Sequence, residues 1–230
     1  MRTVAALLAA ALAVPAGAAT FYGPSPYLSF ADSPFTGVPG VVLQTFESGS
    51  AALAGVTFSS TVVLGPNSLT DSVDADTGAI DGSGTGGHTL YSNNLNTLSF
   101  IFDAGALGGL PTHVGIVWTD VGFVTSGTDG FGDVVFEAFD GANASLGTLT
   151  GLNLGDGLFG GQTAEDRFFG ARSLAGISRI TLSMPNSLDW EADHFQYSLT
   201  PVPEPSTYAM LAAGLLAVAG ISRRRLAHRR

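Results

Sequence analysis

His113-Val114-Gly115-Ile116-Val117-Trp118-Thr119 places an apolar side chain at every second position: Val114, Ile116 and Trp118 alternate with His113, Gly115 and Thr119. Successive side chains of an extended chain point to opposite faces, so this period of two makes one apolar row and one mixed row. The rhythm continues in both directions. Upstream, Val56, Phe58, Ser60, Val62 and Leu64 alternate with Thr57, Ser59 and Thr61, and Leu98, Phe100 and Phe102 with Ser99 and Asp103. Downstream, Val134, Phe136 and Ala138 face away from Asp133, Val135 and Glu137, and Ile180, Leu182 and Met184 from Arg179, Thr181 and Ser183. Such half-polar strands suit sheets with one face on a core and one in water.

The breaks between the strands carry turn residues: Gly65-Pro66-Asn67, Asp81-Gly82, Gly108-Gly109, Asp129-Gly130, Asp140-Gly141 and Asp156-Gly157. No window of this region has a helical stripe. The expected fold is therefore all-β, an antiparallel two-sheet sandwich of jelly-roll-like form. Two stretches fall outside the pattern. Tyr22 to Pro39, rich in proline, reads as a loosely attached lead-in, and Asp71 to Gly87 as a long polar loop.

The two ends are of another character. Residues 1–19 have the parts of a secretory signal peptide: Arg2 as positive region, the apolar stretch Val4 to Val14, and Ala16-Gly17-Ala18 before a cleavage site. At the other end Val202-Pro203-Glu204-Pro205-Ser206 precedes an uncharged run from Tyr208 to Ile221, followed by Arg223-Arg224-Arg225-Leu226-Ala227-His228-Arg229-Arg230. Fourteen residues make about 21 Å of helix, where a full span takes about 20 residues. The run is marginal as a permanent anchor and adequate as a transient stop. The arginines behind it favour a cytoplasmic C-terminus in the inner membrane, with the intervening domain on the far side.

The Val-Pro-Glu-Pro box, short apolar helix and arginine cluster resemble the PEP-CTERM sorting signal. The resemblance implies processing by an exosortase, a membrane-embedded cysteine protease, with Pro203, Glu204 and Pro205 as the recognition box and Arg223, Arg224 and Arg225 as the stop. The resulting division is a signal peptide (1–19), an exported β-sandwich (20–200) and a sorting signal (201–230), with box 202–206, helix 208–221 and basic tail 223–230. It also implies signal peptidase as a partner during export and a destination in the cell envelope or outside the cell.

Between the ends lie eighteen acidic residues against Arg167, Arg172 and Arg179, a formal charge of −15. That surface disfavours nucleic acid and anionic lipid, whose phosphates need cations. There is no cysteine, which removes disulfides, thiolate nucleophiles and Cys-ligated metal. Thirty-one glycines and no lysine fit turns between strands.

Candidate chemistry gathers on the closing stretch. Thr45-Phe46-Glu47-Ser48-Gly49, Trp118-Thr119-Asp120-Val121-Gly122, Thr163-Ala164-Glu165-Asp166-Arg167 and Glu191-Ala192-Asp193-His194-Phe195-Gln196-Tyr197 resemble exported domains that carry PEP-CTERM tags and, distantly, jelly-roll carbohydrate-binding modules. The second resemblance implies a structural calcium shared by Glu47 and Asp193, completed by backbone carbonyls; two surface carboxylates on neighbouring strands are the alternative. Glu191-x-Asp193 is similar to the carboxylate pair of laminarinase-like glycoside hydrolases, but Gln196 stands where their second glutamate would be, and an amide cannot carry the catalytic proton.

Asp71, Asp74, Asp76 and Asp81 read as a solvated acidic loop, without the ligand spacing of an EF-hand. Gly82-x-Gly84-x-x-Gly87 has no βαβ unit around it and reads as a flexible loop. Asp120, Glu165, Asp166 and Arg167 are weak ligand candidates, with Arg167 expected to pair across strands with Asp120 or Glu137. His88, His113 and His194 are scattered, without zinc-site spacing. Trp118 and Trp190 are expected in the core. The favoured reading is a non-catalytic exported envelope or matrix protein whose sandwich binds polysaccharide or other surface proteins. The alternative is a secreted carbohydrate-active enzyme with a divergent site.

Overall fold

The computed structural model describes residues 18–121, 132–154, 160–199 and 214–215, with backbone alone at 120 and 121. The chain divides into two compact units, 1–199 and 200–230. Of the second unit only Gly214 and Leu215 are described, and they are helical. Among the described residues no helix is long and apolar enough to cross a membrane.

The period-two segments form strands, as the alternation predicts. In chain order they are β1 (Thr20–Pro26), β2 (Val42–Gln44), β3 (Val56–Phe58), β4 (Val63–Leu64), β5 (Thr89–Tyr91) and β6 (Thr97–Phe102). There follow β7 (His113–Val121), β8 (Val134–Phe139), β9 (Ser145–Gly151), β10 (Arg167–Arg172), β11 (Arg179–Ser183) and β12 (Trp190–Ser198). The α-helical turn Ala104–Leu107 is capped by the Asp103 carboxylate and closed by left-handed Gly108. The larger sheet has the order β1-β10-β7-β12-β5-β4, with β2 also paired to β12; the smaller is β3-β6-β11-β8-β9. Every ladder is antiparallel. The protein domain is all-β.

The inner faces of both sheets share one core. Phe58, Leu98, Phe100, Phe102, Phe136 and Leu182 come from the smaller sheet; Ile116, Trp118, Phe169, Trp190, Phe195 and Tyr197 come from the larger. Phe100 and Phe195 stack between the sheets at 5.0 Å. Both tryptophans are buried with their N–H groups satisfied: Trp118 donates to Met184 Sδ at 3.1 Å and Trp190 to the Leu95 carbonyl at 2.9 Å. Burying each phenylalanine, leucine or isoleucine of this core contributes about 1.5–3 kcal/mol.

The structure corrects the sequence reading in two places. The single alternating run from Val56 to Leu64 is two strands in different sheets: β3 pairs with β6, and β4 with β5. At the crossing, the Ser60 hydroxyl donates to the Tyr91 carbonyl at 2.7 Å and accepts from Val62 N–H. Alternation records which side chains turn inward, and both sheets offer the same core, so the change of sheet leaves no trace in the pattern.

The other correction concerns the outer face of the larger sheet. The stretch read as a loose lead-in contains most of β1, paired with β10, and then packs across the sheet. Tyr27 and Phe35 are buried with Val73, Val117 and Phe168 in a second apolar cluster. Tyr27 stacks on Phe168 at 5.9 Å, and Phe35 meets Phe168 edge-on at 5.5 Å. The acidic stretch is a solvated loop only at its tip: Thr70 to Asp74 are all buried, Asp76 is half-buried, and residues 77–82, with Asp81, are exposed. The larger sheet is thus covered on both faces.

Candidate functional site

The covered face is built around β12. Strict alternation would send Asp193 and His194 to opposite faces. Against β7, however, Asp193 aligns with Val117 and Gln196 with Gly115, so three steps on β12 oppose two on β7. The extra residue is a bulge, and His194 takes a left-handed φ of 43° within it. The bulge reverses the phase: Trp190 and Ala192 lie inward before it, Phe195 and Tyr197 after it. Glu191, Asp193, His194, Gln196 and Ser198 consequently share the covered face.

Each of these polar groups meets a segment that crosses the sheet. Glu191 Oε2 accepts the Asp71 N–H at 2.7 Å. Asp193 accepts Val73 N–H at 2.9 Å and its neighbour His194 N–H at 2.6 Å. Gln196 donates to the Tyr27 hydroxyl at 2.8 Å and accepts from Ser33 Oγ at 2.6 Å. Tyr27 Oη is 2.9 Å from His194 Nδ1, and His194 Nε2 is 2.9 Å from Asp76 Oδ1. Ser198 donates to the Pro39 carbonyl at 2.8 Å.

The crossing segment holds its own shape through Asp74. Its carboxylate accepts from Asp81 N–H at 3.0 Å, Gly82 N–H at 2.9 Å and Thr163 Oγ1 at 3.1 Å. Ser72 donates to the Gly84 carbonyl through both N–H and Oγ, and Gly84 donates to the Gly161 carbonyl. A Cβ at Gly84 would collide with the Ser72 backbone and the Asp71 carboxylate. In Gly82-x-Gly84-x-x-Gly87, Gly84 therefore serves close backbone approach, Gly87 leaves room for the Ser72 side chain, and Gly82 takes a left-handed φ of 86°.

Burial changes the acids. Glu191 is pushed up to about 8, chiefly by desolvation, with the Asp71 N–H opposing and Asp189 adding. Asp193 lies well above the usual carboxylate range, first by desolvation and then by the Asp76 charge; the Val73 and His194 N–H groups oppose, and Glu47 adds. With relative exposures of 2% and 0%, Glu191 and Asp193 are sealed beneath the 71–88 segment rather than facing a cleft. Asp76, Asp193 and His194 each offer a ligand atom within 4.8 Å of the others, a set capable of holding a metal ion.

The remaining sequence candidates are dispersed. Glu47 receives the His88 N–H on Oε1 and stands 3.2 Å from His88 Nδ1 through Oε2. Both oxygens of Glu47 and both of Asp193 thus face donors, and calcium would have to share them. Asp120 aligns with Glu191 across β7 and β12, its side chain lying outside the described residues. Glu165 ends a short 3₁₀ turn, Thr163–Glu165, and both it and Asp166 are buried. Arg167 Nη1 donates to the Ala164 and Asp166 carbonyls at 3.0 and 2.8 Å, while Glu137 lies in the other sheet, on β8. Pro203, Glu204, Pro205, Arg223, Arg224 and Arg225 lie outside the described residues.

Sequence reasoning missed Asp76, His194 and Tyr27 as one group. Their separations are 118 and 167 residues, and His194 reaches the face only through the bulge. A left-handed histidine inside a strand pattern has no signature in a single sequence.

No curated protein and no solved structure matches the chain. A family model for the PEP-CTERM protein-sorting motif matches residues 201–225, so the chain carries this exosortase sorting signal and is an exported protein, anchored at the membrane before processing.

Proposed function

We propose that the exported β-sandwich is a non-catalytic envelope or matrix module that binds polysaccharide or neighbouring surface proteins. The observation carrying this reading is the burial of Glu191 and Asp193 under backbone N–H groups of Asp71 and Val73. A glycosidase needs its two carboxyl groups on either side of an accessible glycosidic bond. These two are instead used to hold a chain segment on the sheet, and the Gln196 amide is taken up by Ser33 and Tyr27. The half-exposed outer row of the smaller sheet is the surface left for a partner.

A glycan array probed with the full chain in detergent tests it, with and without calcium. Binding without release of new reducing ends is expected. Turnover of a bound glycan that disappears in Glu191→Gln would transfer the domain to the carbohydrate-active enzymes.

The proposal extends to export. Signal peptidase removes the front, the arginine tail stays on the cytoplasmic side of the inner membrane, and the mature chain ends near Ser206. Mass spectrometry of the envelope fraction should find no intact C-terminus, and an unprocessed form in Glu204→Ala.

Calcium shared by Glu47 and Asp193 belongs to the same proposal, supported by the Glu47 charge acting on the buried Asp193 carboxyl. A hundredfold excess over the dissociation constant would stabilise the fold by about 2.7 kcal/mol. The melting temperature should rise with calcium and fall with chelator. An unchanged melting temperature in the two solutions would remove the ion from the proposal.

A further inference from the structure

We propose that Asp76, Asp193 and His194 form a binding site for a divalent transition-metal ion of the zinc class, on the covered face of the larger sheet. His194 Nε2 stands 2.9 Å from Asp76 Oδ1, and an oxygen of Asp193 lies within 4.8 Å of both. At zinc–nitrogen and zinc–oxygen bonds of about 2.0–2.2 Å, tetrahedral donors sit roughly 3.3–3.5 Å apart. The three donors need only small side-chain rotations to reach that spacing.

Charge supplies the reason for an ion. A buried and a half-buried carboxylate face one imidazole, and the chain contains no lysine. The domain's arginines are engaged elsewhere: Arg167 with the Ala164 and Asp166 carbonyls, Arg179 with Asn143 and the Phe139 ring, and Arg172 beside His113. Asp76 Oδ2 is buried with no hydrogen-bond partner, a lone pair held out of water and unused by the protein. Burying such an oxygen is costly unless something coordinates it.

The outer contacts suit a metal ligand. Tyr27 Oη beside Nδ1, itself held by the Gln196 amide, fixes the imidazole ring. With metal on Nε2, the single imidazole proton moves to Nδ1, and the Tyr27 oxygen accepts it once the phenol proton turns away from Nδ1, the role of a second partner behind a histidine ligand. The imidazole donor selects the ion class. Calcium takes six to eight oxygens, whereas nitrogen with carboxylate suits zinc and its neighbours. Three protein donors leave a fourth position for water or a ligand atom. The Asp76 side chain, 11% exposed, gives the ion an entry from the edge of the segment.

The test is a zinc titration of the chelator-stripped full chain in detergent, by calorimetry and by histidine side-chain NMR. One zinc per chain is expected, with the His194 ring resonances moving and those of His88 and His113 unchanged. Asp76→Asn and His194→Gln should each weaken binding by at least about a hundredfold, the upper end of what even a supporting contact of a metal site is worth, while Asp103→Asn, at the cap of the Ala104–Leu107 turn, leaves it unchanged. Cobalt(II) should give the visible absorption of a four-coordinate site in wild type and lose it in both variants. Should a variant fail to fold by circular dichroism, the wild-type NMR titration decides alone. Zinc that binds without moving His194, or binds equally to Asp76→Asn, overturns the site, and the three side chains are then a proton-linked network only.

Discussion

In the smaller sheet, β8 alternates between buried Val134, Phe136 and Ala138 and half-buried Val135, Glu137 and Phe139; in the larger sheet all nine residues of β12 are buried. Both strands are read from the same kind of alternating sequence. The difference comes from what lies on the outer face: water over β8, and two chain segments over β12. Where water is the neighbour, a polar side chain needs no particular partner. Where a chain segment is the neighbour, every polar atom needs one, and Glu191, Asp193 and Gln196 find theirs in Asp71, Val73, Ser33 and Tyr27. A face that looks solvated in sequence thus becomes the most specific surface of the domain.

The comparison can be broken by substitutions on each face. On the inner faces the sheets should behave alike: Phe195→Ala and Phe136→Ala, both fully buried, should each cost about 3–5 kcal/mol in urea unfolding. A much smaller loss in one would mean that the core is not shared.

The covered face should also respond to pH. Glu191 is held up to about 8 in the fold against an ordinary 4.5. Below the lower value both folded and unfolded chains carry its proton, and its contribution is fully present. Between the two, only the folded chain keeps the proton, so stability falls as pH rises, by up to about 1.4 kcal/mol per unit from this group, and then levels above the folded value. Unfolding in chelator from pH 4 to 9 should show this slope, and Glu191→Gln should reduce it to the share of the raised Asp193 carboxyl.

A smaller effect is expected from Tyr27→Phe, which keeps the ring on Phe168 but removes the hydroxyl from Gln196 and His194. Leaving those buried groups without a partner should cost about 1–3 kcal/mol. The smallest effect belongs to the outer row of the smaller sheet, where Glu137→Ala should change stability by no more than about 0.5 kcal/mol. A large loss there would show that this row too is covered, by a partner.

Much of the architecture was legible because burial against a common core imposes a local rule. Leu98, Phe100 and Phe102, or Ile180 and Leu182, need no knowledge of their partners to declare themselves, since every second side chain must be apolar. Trp118 and Trp190 could be assigned to the core on the same ground. The sheet change between Phe58 and Val63 could not be read, because either sheet satisfies that rule equally. Neither could the lead-in around Tyr27 and Phe35: a proline-rich stretch with isolated aromatics has no period, and its burial depends on Phe168 and Val117 far along the chain.

The sorting signal was legible for another reason. Its recognition rests on a contiguous box, a hydrophobic run and a charge cluster, all linear properties of residues 201–225. The sequence by itself thus determined the class of the fold and the route of the protein, through periodicity and linear motifs. The tertiary structure decided the chemistry of the covered face. Asp193 and His194 point the same way only because a bulge and a left-handed backbone break the alternation, and Asp76 meets them only because its segment folds back over β12. Contacts across more than a hundred residues depend on how two sheets and their coverings pack, and that packing energy is shared among many side chains rather than written in any one stretch.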